Sequence, residues 1–352
     1  MNKLKKIMGK IKKPDSSLTR QAQLNLNSLT KPQGSLGRLE ELAKKIVCIT
    51  GNLNPEIKKK VIVVMAGDHG VAEEGISAYP GEVTSQMVYN FLKGGAAINV
   101  LARHIGAEVL VVDMGVAADF KEHQMLMKKK IGYGTKNMVK GPAMTEGQAV
   151  KSIEAGIEIA EEMIKKGYDI IATGEMGIGN TTASSAIASV ICGVDIESVT
   201  GYGTGIDDGC RKNKIDVIKK AISVNKPDVA DGINVLSKVG GFEIGGIAGI
   251  ILGCAANGTP VVIDGFISGA GALIASVIAP DSINYMIASH YSSEKGHRIV
   301  LDRLGLKPLF DFDMRLGEGT GAAIGISIIE ASVKILNEMA TFSQAGVSEK
   351  KE

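Results

Sequence analysis

A carboxylate enclosed by glycine is the residue best suited to chemistry in this chain. Glu318 lies in the run Arg315-Leu316-Gly317-Glu318-Gly319-Thr320-Gly321, just before an Ala/Ile segment of helical character. Glycine leaves the backbone open to close approach by a ligand, and a helix start offers free N–H groups to anions. Two roles fit this pattern. Glu318 is either a base set against a ligand or a charge that helps cap the helix after it.

Three further passages offer ligand-binding backbone. The strongest is Gly174-Glu175-Met176-Gly177-Ile178-Gly179-Asn180-Thr181-Thr182, between a buried strand pattern and an Ala/Ser/Ile helix. Amides at such a junction, reinforced by the helix dipole, suit a phosphate dianion. The lysine of GxxxxGK[ST] is missing and the spacing is not GxGxxG, so neither a nucleotide triphosphatase nor a dehydrogenase is favoured. A second passage, Gly201-Tyr202-Gly203-Thr204-Gly205, leads to Arg211, Lys212 and Lys214; these cations either pair with phosphate or are simply solvated. The third joins Ala66-Gly67-Asp68-His69-Gly70 to the polar loop Gly75-Ile76-Ser77-Ala78-Tyr79-Pro80. Loops of this kind often carry binding residues. No HExxH or comparable spacing makes Asp68 and His69 a metal site, and His69 is read as structural.

These residues need a scaffold, and the sequence describes one. Apolar, β-branched runs start at Val61, Ala107, Asp169, Thr259 and Ile283, and each is followed by a helical stretch. The alternation predicts a doubly wound, mainly parallel α/β sheet of Rossmann-like type, with strands buried on both faces. Polar residues cluster where the runs end: Asp68 and His69, Asp113, Glu175, Asp264 with Ser268, and His290 with Ser292 and Ser293. Ligands of open parallel sheets bind outside the carboxyl ends of the strands, so these groups are expected to face one crevice. The expected division is an N-terminal helical segment over 1–60, an α/β core over 61–317, and a C-terminal helix over 318–352 that joins the first segment in a smaller helical domain.

The totals narrow the ligand. The 352 residues carry 40 Lys and Arg against 38 Asp and Glu, so no overall basic field argues for nucleic acid. Trp is absent and only 4% of residues are aromatic, which leaves few stacking platforms for single strands. The 44 glycines stand well above the roughly 7% of average usage. Cys48, Cys192, Cys210 and Cys254 lack CxxC spacing, which points to a reducing cytoplasm rather than a disulfide framework or zinc cluster. The N-terminus has Lys3, Lys5, Lys6, Lys10, Lys12 and Lys13 but no continuous apolar core of a signal peptide; Leu4, Ile7, Met8 and Ile11 instead fit a short helix packed on the domain. The most apolar stretch, Ile244 to Ala279, is broken by Asn257, Pro260 and Asp264 and reads as core, not as a membrane span.

The ordered motifs also carry a family resemblance. Thr30-Lys31-Pro32-Gln33-Gly34-Ser35-Leu36-Gly37-Arg38-Leu39-Glu40 resembles the N-terminal signature of the nicotinate-nucleotide:dimethylbenzimidazole phosphoribosyltransferases. AGDHGVAEEGISAYP, GEVTSQMVYNFLKGGAAINVLAR, GEMGIGNTTAS, GGFEIGGIAGIILG, DGFISGAGALIA, SHYSSEKGH and DMRLGEGTGAA follow in the same order, so the resemblance runs from about Leu29 to FSQAGVSEK. The lysine-rich first thirteen residues lie outside it.

The resemblance implies transfer of a 5-phosphoribosyl group from nicotinate mononucleotide to 5,6-dimethylbenzimidazole, in assembly of the cobalamin lower ligand. It implies no cofactor and no metal, and a cytoplasmic homodimer without nucleic-acid or membrane partners. Glu318 falls on the family's catalytic base. Glu175 is expected to hydrogen-bond the ribose hydroxyls, and Gly177, Ile178, Gly179, Gly203, Lys214, Ser292 and Ser293 to receive the phosphate. Ser77, Tyr79, Gln86, Met87 and Leu316 would wall the acceptor base. Helix amides would lower the Glu318 pKa and burial beside an aromatic acceptor would raise it; desolvation is expected to win. Dimethylbenzimidazole, another benzimidazole, a purine or a phenolic all fit variations of one pocket. Two other classes fit the same alternation: a dinucleotide-dependent oxidoreductase, against which the glycine spacing counts, and a non-catalytic nucleotide sensor.

Overall fold

The computed structural model describes residues 3–348. The chain opens with helices α1 (Lys3–Met8), α2 (Ser17–Ser28) and α3 (Arg38–Thr50). Strand β1 (Lys60–Gly67) leads through α4 (Val83–Leu92) and α5 (Ala97–His104) to β2 (Glu108–Gly115) and the short β3 (Leu126–Lys128). The long helix α6 (Glu146–Lys165), begun by a Thr145/Gln148 capping box, carries the chain back to β4 (Ile170–Met176). Then come α7 (Asn180–Cys192), α8 (Ile196–Val199), α9 (Asp208–Asn225), α10 (Gly232–Val239) and α11 (Phe242–Ala256). Strand β5 (Val261–Ile263), α12 (Phe266–Ile278), β6 (Met286–Ala288), β7 (His290–Tyr291), α13 (His297–Leu304) and β8 (Phe310–Asp311) precede α14 (Thr320–Glu338) and α15 (Phe342–Ala345).

Six strands pair in parallel in the order β3-β2-β1-β4-β5-β6. The alternation of strand residues explains why both faces are covered. Val61, Val63 and Met65 of β1 enter one core with Val112, Met114, Ile171, Val261 and Ile263, beneath α6, α7, α11 and α12. Ile62, Val64 and Ala66 point the other way, into a core with Val111, Ala172 and Val262 that α3, α5 and α14 close. Period-two alternation thus divides each strand between two apolar layers, as a doubly wound sheet requires. The strand order reverses between β1 and β4, and this switch point creates a crevice at their carboxyl ends. Met65 pairs with Glu175 and Ala66 with Met176, so β1 and β4 end at the same level.

A third, smaller core joins Ala22, Leu26, Leu29, Ala43, Val47 and Leu336 from α2, α3 and the end of α14. An isolated antiparallel bridge between Leu29 and Thr341 ties the same segments. Helix α1 belongs elsewhere: Leu4, Ile7 and Ile11 are buried in the large core against α6 and α11. By length and composition α14 is apolar enough to cross a membrane, and Ala322, Ala323, Ile326 and Ile329 explain its composition by packing on the sheet.

The loop before α3 is locked by a buried ion pair. Lys31 Nζ donates to Glu40 Oε1 at 2.8 Å, and the Leu36 N–H donates to the same oxygen at 3.1 Å. Removing one member of a buried pair leaves an uncompensated charge. Glu40→Ala is therefore expected to cost about 3 kcal/mol in urea unfolding. A loss below about 0.5 kcal/mol, the scale of an ordinary surface substitution, would show that the pair does not hold the loop.

Candidate active site

The crevice at the carboxyl ends of β1, β4 and β5 is a cleft of about 640 Å³, within the size range of small-molecule sites. Glu175 stands at its floor. Its Oε2 accepts a hydrogen bond from Asn180 Nδ2, the first residue of α7. Burial, with Asp264, Glu243 and Glu318 adding negative charge, pushes the Glu175 carboxyl up to about 8, against the pull of Asn180.

Glu318 enters from the turn before α14. Its backbone is left-handed at φ 61°, with left-handed Gly317 and Gly319 on either side at 84° and 92°. A Cβ on Gly317 would come within 2.2 Å of Glu175 Oε1, and one on Gly174 within 2.4 Å of the Glu318 carbonyl oxygen. Missing side chains at these two positions let the turn lie directly on β4, which brings both carboxylates to one cleft. The Glu318 side chain is buried and one oxygen, Oε2, accepts the Ile98 N–H from the start of α5 at 3.2 Å. Burial pushes its pKa up, and the Ile98 amide only partly opposes this. Capping of α14 falls to Asp264 instead, whose Oδ1 accepts the Ala322 N–H at 2.9 Å and Oδ2 the Gly319 N–H at 3.2 Å. The capping role therefore belongs to another residue, and Glu318 has the desolvated setting of a base.

Another part of the cleft wall is suited to an anion. Gly177 and Ile178 lead into left-handed Gly179, the N-cap of α7, whose first residues Asn180 and Thr181 line the cleft. This is the positive end of a thirteen-residue helix, where the Ile178 N–H donates to Thr84 Oγ1 at 3.1 Å and the Asn180 N–H to the Gly177 carbonyl at 3.2 Å. Lys214, on α9, is buried to 1% exposure, and its Nζ donates to Thr181 Oγ1 at 2.6 Å. Burial lowers its pKa to about 8, while Glu294 supports the charge. Gly203 lies against this ammonium: a Cβ there would come within 3.2 Å of Nζ. Ser292 completes the wall, its N–H donating to His297 Nδ1 at 2.9 Å.

The structure brings together most, though not all, of the expected site residues. Tyr79, Met87, Glu175, Gly177, Ile178, Gly203, Ser292, Leu316 and Glu318 line one cleft. Ser77 stands behind the rim, its Oγ 3.2 Å from Thr204 Oγ1, which also accepts the Ala78 N–H. Gly179 and Lys214 support the anion end from behind, while Gln86 and Ser293 are exposed and outside the lining. His290, expected at a strand end, lines the cleft as well, together with Asn180, Thr181, Thr204, Glu294 and Arg315, to which the sequence assigns no role. All six lie inside or beside motifs that stand out for their glycines and serines. Arg315 Nη1 donates to the Gly203 carbonyl at 3.0 Å and so ties the two loops across the mouth.

Three strand-end groups do other work. His69 Nε2 meets Glu243 Oε1 at 2.6 Å in a fully buried pair, the structural role expected of it. Asp113 accepts the Val116 N–H and pairs with Lys130 at 3.0 Å. Asp68 accepts the Ala117 N–H at 2.7 Å. These contacts fix the loops after β1 and β2.

With this geometry in hand, comparison with known proteins is decisive. The DBI_PRT phosphoribosyltransferase family model matches residues 11–347. The chain belongs to this phosphoribosyltransferase family. It is 58% identical over 338 residues to the nicotinate-nucleotide–dimethylbenzimidazole phosphoribosyltransferase of Chloroflexus aggregans, covering 96% of each chain. The equivalent protein of Geobacter sulfurreducens is 54% identical over 349 residues, covering 99% of each. Among solved structures, the phosphoribosyltransferase of that name from Thermus thermophilus superposes with a TM-score of 0.90 at 43% identity, over 96% of this chain and 100% of that one. The family's fold is thus the doubly wound sheet expected from the strand pattern.

Proposed function

We propose that this family member moves the 5-phosphoribosyl group of nicotinate mononucleotide to 5,6-dimethylbenzimidazole. The products are α-ribazole 5′-phosphate, for the cobalamin lower ligand, and nicotinate. The observation that carries the reading is one cleft lined by both a desolvated carboxylate, Glu318, and a lysine-backed glycine turn at a helix start.

The chemistry matches the residues. The donor's pyridinium nitrogen is positive and leaves as a neutral ring, so departure of nicotinate needs no general acid. The acceptor attacks C1′ through one ring nitrogen while the other loses its proton, and Glu318 is the group that takes it. Attack opposite the departing nicotinate turns a β- into an α-glycosidic bond, which requires both ligands to be held in line. Glu175, its pKa raised to about 8, hydrogen-bonds the ribose hydroxyls. The phosphate lies on the Gly177-Ile178-Gly179 turn, with Gly203, Lys214 and Ser292 around it. Tyr79, Met87 and Leu316, with Ser77 behind them, wall the acceptor. The same reading includes a homodimer, a cytoplasmic location and a small helical domain in which 1–60 meets 318–352 through α2, α3 and the end of α14, with α1 packed on the large core instead. None of the four cysteines is in a disulfide and α2, α3 and α14 share a core, which supports the last two.

Purified protein given nicotinate mononucleotide and a panel of benzimidazoles, purines and phenolics is expected to release nicotinate and form a ribotide of matching mass. Binding of the nucleotide without nicotinate release under any acceptor would overturn the reading in favour of a sensor.

The phosphate end has its own test. Lys214 is charged below about 8, so nicotinate mononucleotide binding should weaken as pH rises through that value. Lys214→Met should raise Kd about tenfold to a hundredfold at pH 7, the scale of a charge-assisted hydrogen bond, and abolish that pH dependence. Calorimetric titration reads both, and an unchanged Kd would remove Lys214 from the phosphate site.

A further inference from the structure

Asp264 is a buried carboxylate that the reaction chemistry leaves without a role. It follows β5, is 1% exposed, and gives both oxygens to the start of α14. Its own backbone is fixed on two sides: its N–H donates to Thr173 Oγ1 at 3.4 Å, and its carbonyl accepts from Ser289 Oγ at 3.2 Å. A nineteen-residue helix opens with unpaired amides and partial positive charge. The acidic residue nearest to them along the chain is Glu318, immediately before the Gly319 N-cap. Left alone, that end would draw the Glu318 carboxylate onto its own helix. With the amides already taken, Glu318 turns to a single N–H, that of Ile98, and its carboxylate lines the cleft.

We propose that Asp264 is a positioning residue for phosphoribosyl transfer: by occupying the amides that open α14, it keeps Glu318 off that helix and directed into the cleft. The proposal rests on the reading of Glu318 as the base. It explains why two acidic residues from distant parts of the sequence meet at one turn. One satisfies the helix so that the other remains free for chemistry.

The test compares wild type with Asp264→Asn, which keeps one acceptor oxygen, and Asp264→Ala, which keeps none. Burial and the Ile98 amide set the titration of Glu318. The charged and titratable groups that share its cleft are Glu175 from β4, His290 from β7, Glu294, and Arg315 in its own loop, and Asp264 and Glu243 act on the adjoining Glu175. The helices α4 and α5 present Met87 and the Ile98 amide. Freed α14 amides would favour the charged form of Glu318. The acid limb of kcat should therefore move down by about one pH unit in Asp264→Ala and by less in Asp264→Asn. At pH 7 kcat should fall about a hundredfold in Asp264→Ala, with KM for nicotinate mononucleotide changed less than threefold. A limb that stays at the wild-type pH while kcat falls only with the folded fraction would reduce Asp264 to a helix cap and overturn the proposal.

Infrared titration of the Glu318 carboxyl, identified by difference against Glu318→Gln, gives the same answer without turnover. A downward shift in the better-folded Asp264→Asn supports positioning, and coincident titration with wild type contradicts it. Absence of transferase activity in wild type would instead defeat the reaction assignment, so the two failures are separable.

Discussion

Glu318→Gln is expected to lower kcat by about 10²- to 10⁴-fold, the range supplied by a positioned general base. The substitution is nearly isosteric and its amide oxygen can still accept the Ile98 N–H that holds Glu318 Oε2. The turn should therefore stay in place while the proton acceptor is lost. KM for nicotinate mononucleotide should hardly move, because the phosphate end of the cleft is untouched. Wild type provides the matching pH signature. A carboxylate acts as a base only when ionised, and burial raises the pKa of Glu318. Turnover should accordingly rise with pH through a limb above the ordinary glutamate range, and Glu318→Gln should lack that limb. Near-normal turnover in the variant would remove Glu318 from the chemistry.

The second large effect comes from a residue without a side chain. A Cβ on Gly174 would lie 2.4 Å from the Glu318 carbonyl oxygen, 2.7 Å from its carbon and 2.9 Å from the Gly319 nitrogen. All three are backbone atoms of the turn that carries the base, so no rotamer change relieves the overlap. Gly174→Ala must push that turn away from β4. A displacement near 1 Å can cost about a hundredfold in rate, and that loss in kcat is expected here. Overpacking should also take about 1–3 kcal/mol from stability. Steady-state rates alongside thermal unfolding check both numbers. Full activity in Gly174→Ala would mean that the position of the turn on β4 does not matter to the base.

The sheet is legible in the sequence because its strands are buried on both faces. Val61 to Met65, Val109 to Val112 and Ile170 to Ala172 are apolar without interruption, as parallel strands covered by helices on each side must be. Strands β3 and β8 are not legible, because three and two residues respectively are too few to set a period. The strand ends mark the crevice but not the job of each polar group. Sequence position locates a carboxylate at the end of a strand; the residue that meets it comes from elsewhere in the chain. Asp113 thus pairs with Lys130, His69 with Glu243 and Asp264 with the amides of α14, while Glu175 faces the cleft. The same limit applies to Glu318, whose two sequence-level roles are separated only by seeing that Asp264 performs one of them. Arg315 stands three residues before Glu318, yet its role is hidden in the sequence because its partner, the Gly203 carbonyl, lies on a distant loop.

The most direct test of the site is a crystal structure with α-ribazole 5′-phosphate bound. The account predicts the phosphate on the Gly177–Gly179 turn beside Lys214, the ribose hydroxyls at Glu175, and the benzimidazole nitrogen remote from the sugar within about 2.6–3.2 Å of a Glu318 oxygen. A product bound in the opposite direction, or with no base nitrogen near Glu318, would contradict it.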